Sequence, residues 1–237
     1  LALLLSVSPP LAQTSASDPH HGHDHDHEHD HGRHDATATH RFDDAEEWAE
    51  AFENPERDAW QLPDRVVSTL VTRDDLVIAD IGSATGYFPV RFARAVPNGR
   101  VYGADIEPSM VFYLNDRARD AGLTNLTSIL AAPDDPHLPC PVDLVFLCNT
   151  YHHIDDRIGY MSRLGDGMNP GFRVAIVDFR LESEKGPPHK LDPDVVREEM
   201  TKASFEEVAS YEFLPEQYFL LFERRDTRPL RGSDRIE

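Results

Sequence analysis

The residues most able to do chemistry fall in a few short stretches. In Asp80-Ile-Gly82-Ser83-Ala84-Thr-Gly86, small residues let a ligand approach the backbone, and the helix expected next offers free N–H groups. Asp105 is a carboxylate able to accept both hydroxyls of a ribose. Asp134, in Ala131-Ala-Pro-Asp134-Asp135, is placed to receive an adenine amino group. The stretch Cys148-Asn149-Thr150-Tyr151-His152-His153-Ile154 offers His152 and Tyr151 as candidate general bases, with His153 read as structural. Asp178 could point into the same cleft, and Gly186-Pro-Pro-His189-Lys190 supplies His189 as a residue for the acceptor or a metal. His152, Asp178 and His189 together could hold an ion.

A second chemistry lies upstream. Nine of the thirteen histidines occur between His20 and His40. His20, His21, His23, His25, His27, His29, His31 and His34 alternate with carboxylates over much of that length. Neutral imidazole binds Zn²⁺, Ni²⁺ and Cu²⁺, and interleaved acids add ligands and basicity. Such a tract cannot build a core, so residues 17–40 are expected to be a disordered, metal-binding arm.

The elements that must position these groups follow from apolar rhythm. Phe42, Ala45, Trp48, Ala49 and Phe52 recur at helical spacing, and Asn54-Pro55 ends that run. A second helix follows Pro63 through Val66, Val67 and Leu70. Strands are expected at Leu76–Ile81, Arg100–Ala104, Leu126–Leu130, Val142–Leu147 and Phe172–Val177. Helices are expected at Phe88–Val96, at Pro108–Ala121 with Gly122 as C-cap, at Ile154–Leu164 and after Asp192-Pro193. This alternation predicts an α/β domain with a parallel sheet and helices on both faces. Glu207–Phe213 and Gln217–Glu223, separated by Leu214-Pro215-Glu216, predict an antiparallel hairpin at the edge. The acids and the glycine turn then fall at the carboxyl ends of strands, where such sheets bind ligands.

In this order and at these strand ends, the residues resemble the class I S-adenosylmethionine-dependent methyltransferases of the small-molecule type. The resemblance covers roughly Asp64 to Glu223 and rests on Asp80-Ile81-Gly82-Ser83-Ala84-Thr85-Gly86-Tyr87-Phe88, Asp105 and Asp134. It implies a Rossmann-like methyltransferase fold with a mostly parallel seven-stranded sheet and an antiparallel C-terminal edge. It also implies S-adenosyl-L-methionine as cofactor, with Gly82, Ser83, Ala84 and Gly86 cradling its methionine end and Asp80 orienting the loop or the ammonium. Asp105 would hold the ribose, Ile106 would lie against the adenine, Asp134 would read its amino group, and Asn149 would line the methyl-donor end. Ala84 departs from the family pattern, which has glycine there, and a methyl group at that place narrows the loop or demands an unfavourable φ. A dinucleotide dehydrogenase fits worse, because its loop needs glycine at Ala84 and Tyr87.

Charge and composition narrow the partners. The chain carries a formal net charge of −20, of which the first forty residues, with one Arg and six acids, hold −5. So acidic a domain repels a phosphate backbone, which disfavours nucleic acid and leaves a small molecule or small ion as acceptor. Leu1–Ala12 reads as the apolar core and end of a secretory signal peptide, truncated upstream, in a remnant spanning residues 1–16. The run is too short to span a bilayer, so the product is expected to be exported, periplasmic or extracellular. One domain over residues 41–225 and a charged tail over 226–237 complete the division. The competing reading is a noncatalytic exported ligand-binding protein of the same fold whose arm binds transition metals.

Overall fold

A computed structural model describes residues 45–169 and 171–225. The expected signal remnant, the expected histidine arm with its eight candidate ligands, Phe42 of the expected first helix and the tail 226–237 lie outside the described residues. The described chain runs α1 (Ala45–Phe52), α2 (Glu56–Gln61), α3 (Pro63–Leu70), β1 (Val77–Ile81), α4 (Pro89–Ala95), β2 (Arg100–Asp105), α5 (Pro108–Asp120) and β3 (Leu126–Leu130). It continues through β4 (Leu144–Cys148), a 3-10 turn (Tyr151–His153), α6 (Arg157–Asp166), β5 (Arg173–Phe179), α7 (Pro193–Lys202), β6 (Phe205–Tyr211) and β7 (Gln217–Arg224).

The strands form one seven-stranded sheet in the order β3-β2-β1-β4-β5-β7-β6. β3 through β5 are mutually parallel, and β7 and β6 join antiparallel. The central strands are near-continuous apolar runs because helices cover both faces. Successive side chains point to opposite faces. Phe146 therefore packs with Val66, Phe92 and Leu114 of α3, α4 and α5. Its neighbours Val145 and Leu147 pack with Met161 of α6 and Met200 of α7. The outer strand β6 is largely exposed, carries Glu206 and Glu207, and is broken by a register shift between Glu207 and Ala209, which blunts an edge open to further pairing.

Helix ends follow local chemistry. Gly122, at φ +68, closes α5 while Leu123 N–H reaches Ala118 O at 2.9 Å and Gly122 N–H reaches Arg119 O at 3.0 Å, a paired terminus that needs a left-handed residue. Two expectations shift. The helix foreseen from Ile154 starts at Arg157, because the Asp156 carboxylate accepts from Gly159 N–H at 3.0 Å and caps it there. The six residues of α2 form a helix that apolar spacing does not reveal. Between β1 and β4 the chain leaves in opposite directions along the sheet, and at such a switch point open α/β sheets bind ligands beyond the strands' carboxyl ends. Among the described residues no helix is long and apolar enough to cross a membrane.

Candidate active site

The turn from β1 into α4 is built on three left-handed residues, Gly82 (φ +73), Ala84 (φ +45) and Gly86 (φ +96). Ala84 thus adopts the backbone conformation its Cβ disfavours. The amides of Gly82 and Ser83 both donate to Ala104 O, at 2.8 and 3.3 Å, and Gly86 N–H donates to Ser83 O at 3.0 Å. Ala84 N–H donates to Asp105 Oδ2 at 2.8 Å. These four donors are spent inside the protein, so the turn itself contributes shape. A Cβ on Gly82 would lie 2.3 Å from Thr150 Oγ1, so the turns after β1 and β4 are in direct contact. Ser83 Oγ is buried there without a hydrogen-bond partner among the described residues.

The acids stand where the sequence places them. Asp80, the penultimate residue of β1, is buried; burial, reinforced by the Asp105 charge and opposed by Arg57, raises its pKa well above the usual carboxylate range. Asp105 ends β2, and burial raises its pKa too, against the lowering effect of N–H bonds from Glu107 and Ala84. Asp134 is exposed on the turn after β3, its carbonyl accepting from Arg163 at 3.4 Å. Ile106 is 40% exposed and Leu130, the β3 partner of Asp105, is 51% exposed, which leaves apolar surface at the same edge. Two buried carboxylates, a single nearby guanidinium and an uncovered apolar wall suit a ligand that is cationic at one end and carries an apolar ring at the other.

The N-terminal helices close over this turn through residues that sequence spacing does not reveal. The Glu53 carboxylate accepts from Thr85 Oγ1 at 2.8 Å and pairs with Arg117, which also donates to Thr85 O at 2.9 Å. Arg57 donates to Gln61 and to Phe52 O, and its guanidinium lies 3.9 Å from the Tyr87 ring centre. Gln61 Nε2 donates to Gln217 Oε1 at 2.8 Å, and Gln217 Nε2 donates to Asn149 Oδ1 at 2.6 Å. Gln61 and Gln217 are fully buried, so this chain of amides fixes Asn149, itself left-handed at φ +57, against the start of β7. Gln61 also donates to Cys148 Sγ at 2.9 Å, and burial pushes the Cys148 thiol up to about 12.

Beyond β4 the candidates separate. His152 and Asp178 have side chains 2% exposed, and His152 Nδ1 meets Asp178 Oδ2 at 2.7 Å. A carboxylate there holds Nδ1 as donor and leaves the Nε2 lone pair free, and Nε2 is buried without a partner among the described residues. Tyr151 does not join this group. Its ring is fully buried with Tyr160 and Met161, and its hydroxyl donates to Glu199 at 3.1 Å. Burial and the Glu199 charge raise its pKa, which removes it from the acid–base candidates. His153 is half-buried, and the exposed His189 approaches both histidines, with ring centres 5.5 Å from His152 and 5.8 Å from His153. A separate groove of 740 Å³, lined by Glu53, Val67, Val90, Arg91, Arg94 and Arg117 among others, contains none of the strand-end acids and is not this cleft.

Comparison with known proteins agrees with this geometry. Residues 78–171 match the model of a methyltransferase domain family. The chain is 28% identical over 186 residues to a ubiquinone/menaquinone biosynthesis C-methyltransferase of Bordetella parapertussis, covering 72% of this chain and 68% of the relative. Its fold is similar to that of a SAM-dependent methyltransferase from Aquifex aeolicus, with a TM-score of 0.70 at 21% identity over 77% of this chain and 99% of the other. It is also similar to a magnesium protoporphyrin IX methyltransferase from Synechocystis solved with bound SAH, with a TM-score of 0.56 at 17% identity over 70% of this chain and 84% of the other. Residues 78–171 thus match a methyltransferase domain family, and the chain shares its fold with solved S-adenosylmethionine-dependent methyltransferases.

Proposed function

We propose that this chain, whose residues 78–171 match a methyltransferase domain family, transfers a methyl group from S-adenosylmethionine to a small-molecule acceptor. The observation that carries the reading is the hydrogen bond from Ala84 N–H to Asp105 Oδ2, which locks the turn that follows the buried Asp80 to the β2 acid. Bound there, the cofactor supplies an electrophilic methyl group on a positively charged sulfur. Asp80 lacks a full counter-charge and would take the amino-acid ammonium. Asp105 keeps lone pairs beyond those given to Ala84 and Glu107 and would hold the ribose hydroxyls. Ile106 would cover the adenine, Asp134 would accept from its amino group, and Asn149, fixed by Gln217, would line the methyl end.

Methyl transfer is an in-line displacement governed by positioning, and an acceptor oxygen or acidic carbon must also lose a proton. His152 is oriented for that proton, because Asp178 fixes its ring and leaves Nε2 as the acceptor. An acceptor that is already a nucleophile needs only the positioning. The acidic chain, at −20, supports a small acceptor over nucleic acid. The apolar run Leu1–Ala12 supports an exported location, and the alternation of imidazole and carboxylate that follows supports binding of Zn²⁺, Ni²⁺ or Cu²⁺ by the arm. Isothermal calorimetry of the full chain with S-adenosylmethionine and S-adenosylhomocysteine tests the reading; absence of heat at millimolar ligand overturns it.

A further inference from the structure

Three imidazoles converge beside the ends of β4 and β5. His152 and His153 lie on the 3-10 turn after β4, and His189 reaches them from the connection between β5 and α7. The ring centres of His152 and His153 are 4.1 Å apart, and one nitrogen from each of the three rings lies within 4.8 Å of the others. His152 is the informative member. Its Nδ1 is committed to Asp178 at 2.7 Å, and its Nε2 is buried with no partner among the described residues. Buried polar atoms without partners are rare in folded proteins and ask for an explanation. A carboxylate on the far nitrogen of an imidazole is also the usual support of a metal-ligating histidine, because it fixes the tautomer and raises ligand basicity.

We propose that His152, His153 and His189 form a three-histidine site for one borderline divalent ion of the Zn²⁺ type, with Asp178 as the carboxylate behind His152. Tetrahedral binding at about 2.1 Å per nitrogen requires nitrogens roughly 3.4 Å apart, so the cluster needs only a modest contraction. His189 is the member able to supply it, since it is exposed on a connection that carries Gly186 at φ +81. The exposed side leaves a coordination position open to a small ligand, and placing the methyl acceptor there rests on the methyltransferase reading. The ion and the free base are exclusive uses of one lone pair: with the ion bound, His152 is a ligand.

The test removes the competing tract without shortening the chain. His20, His21, His23, His25, His27, His29, His31 and His34 are replaced by Ser in the full-length protein, which is loaded with Zn²⁺ alone, dialysed against a weak chelator and assayed for metal. One retained equivalent is expected. H189A on that background should lose it, and D178N should weaken it 10- to 100-fold. Cobalt in place of zinc should give the intense visible bands of a four-coordinate site, absent in H189A. Because His189 is exposed, its loss does not threaten the fold, and a thermal melt without metal should coincide with the parent. Retention unchanged by H189A, or no retained metal in the parent, overturns the proposal. Neither result involves the cofactor, so failure here leaves the methyltransferase reading standing, and failure of cofactor binding leaves the metal site standing.

Discussion

Ala84→Gly tests the shape of the β1 turn. Ala84 sits at φ +45, and a side-chain-bearing residue in the left-handed region costs roughly 1–2 kcal/mol that glycine does not incur. Glycine in turn gives the unfolded chain more freedom, an opposing effect of about 0.4–1 kcal/mol. The difference favours the variant by about 0.5–1 kcal/mol, which for a domain of this size raises Tm by roughly 1–4 °C. The bond to Asp105 uses the backbone N–H and survives the substitution. Circular dichroism melts of the full-length pair, with S-adenosylhomocysteine titrations alongside, read both consequences. Cofactor affinity should be equal or tighter, because a methyl group leaves the loop. A variant that melts lower by about 1 kcal/mol, the ordinary cost of glycine in an unstrained element, would refute the left-handed assignment. Gly82→Ala and Gly86→Ala should go the other way. Their φ values are +73 and +96, and the added Cβ would lie 2.3 Å from Thr150 Oγ1 or Leu114 Cδ1. Losses of about 2–4 kcal/mol are expected from strain and overpacking together.

Asp80 predicts a pH dependence. Its raised pKa reflects burial and Asp105, with Arg57 opposing and the Cys148 thiol nearby, so the folded protein holds a proton that the unfolded chain releases. Stability from this group is therefore present at low pH and declines as pH rises from the unfolded carboxylate value through the elevated one. Binding of a cationic ligand end runs the opposite way: S-adenosylhomocysteine affinity should rise with pH across that interval, and D80N should flatten the profile. Gln217→Leu should cost about 1–3 kcal/mol in urea unfolding, because the buried Gln61 and the side chain of Asn149 each lose a partner. Replacing the eight arm histidines should abolish multi-equivalent Ni²⁺ binding while leaving S-adenosylhomocysteine affinity unchanged, as calorimetry with each ligand would show.

The sheet is largely readable from the sequence because β1, β4 and β5 are buried on both faces and must be apolar throughout. The acids are readable because ligands of such sheets bind beyond the strand ends, and Asp80 and Asp105 lie at those ends. What escapes is set by contacts across long sequence separations. Gln61 and Gln217 are 156 residues apart, and nothing local marks either amide as buried. α2 escapes because six residues with mixed polarity show no helical period. Tyr151 misleads for a different reason: it precedes His152, and a 3-10 turn sends adjacent side chains to opposite sides, one to Glu199 and one to Asp178. The strain at Ala84 is foreseeable as one of two outcomes, but only the φ angle decides between them.

The account stands most directly on one titration. S-adenosylhomocysteine added to the full-length chain in a calorimeter should bind at a single site, and Asp105→Ala, which removes both the proposed ribose acceptor and the anchor of the Ala84 amide, should weaken binding at least tenfold. No heat at millimolar ligand, or an affinity indifferent to Asp105, would contradict it.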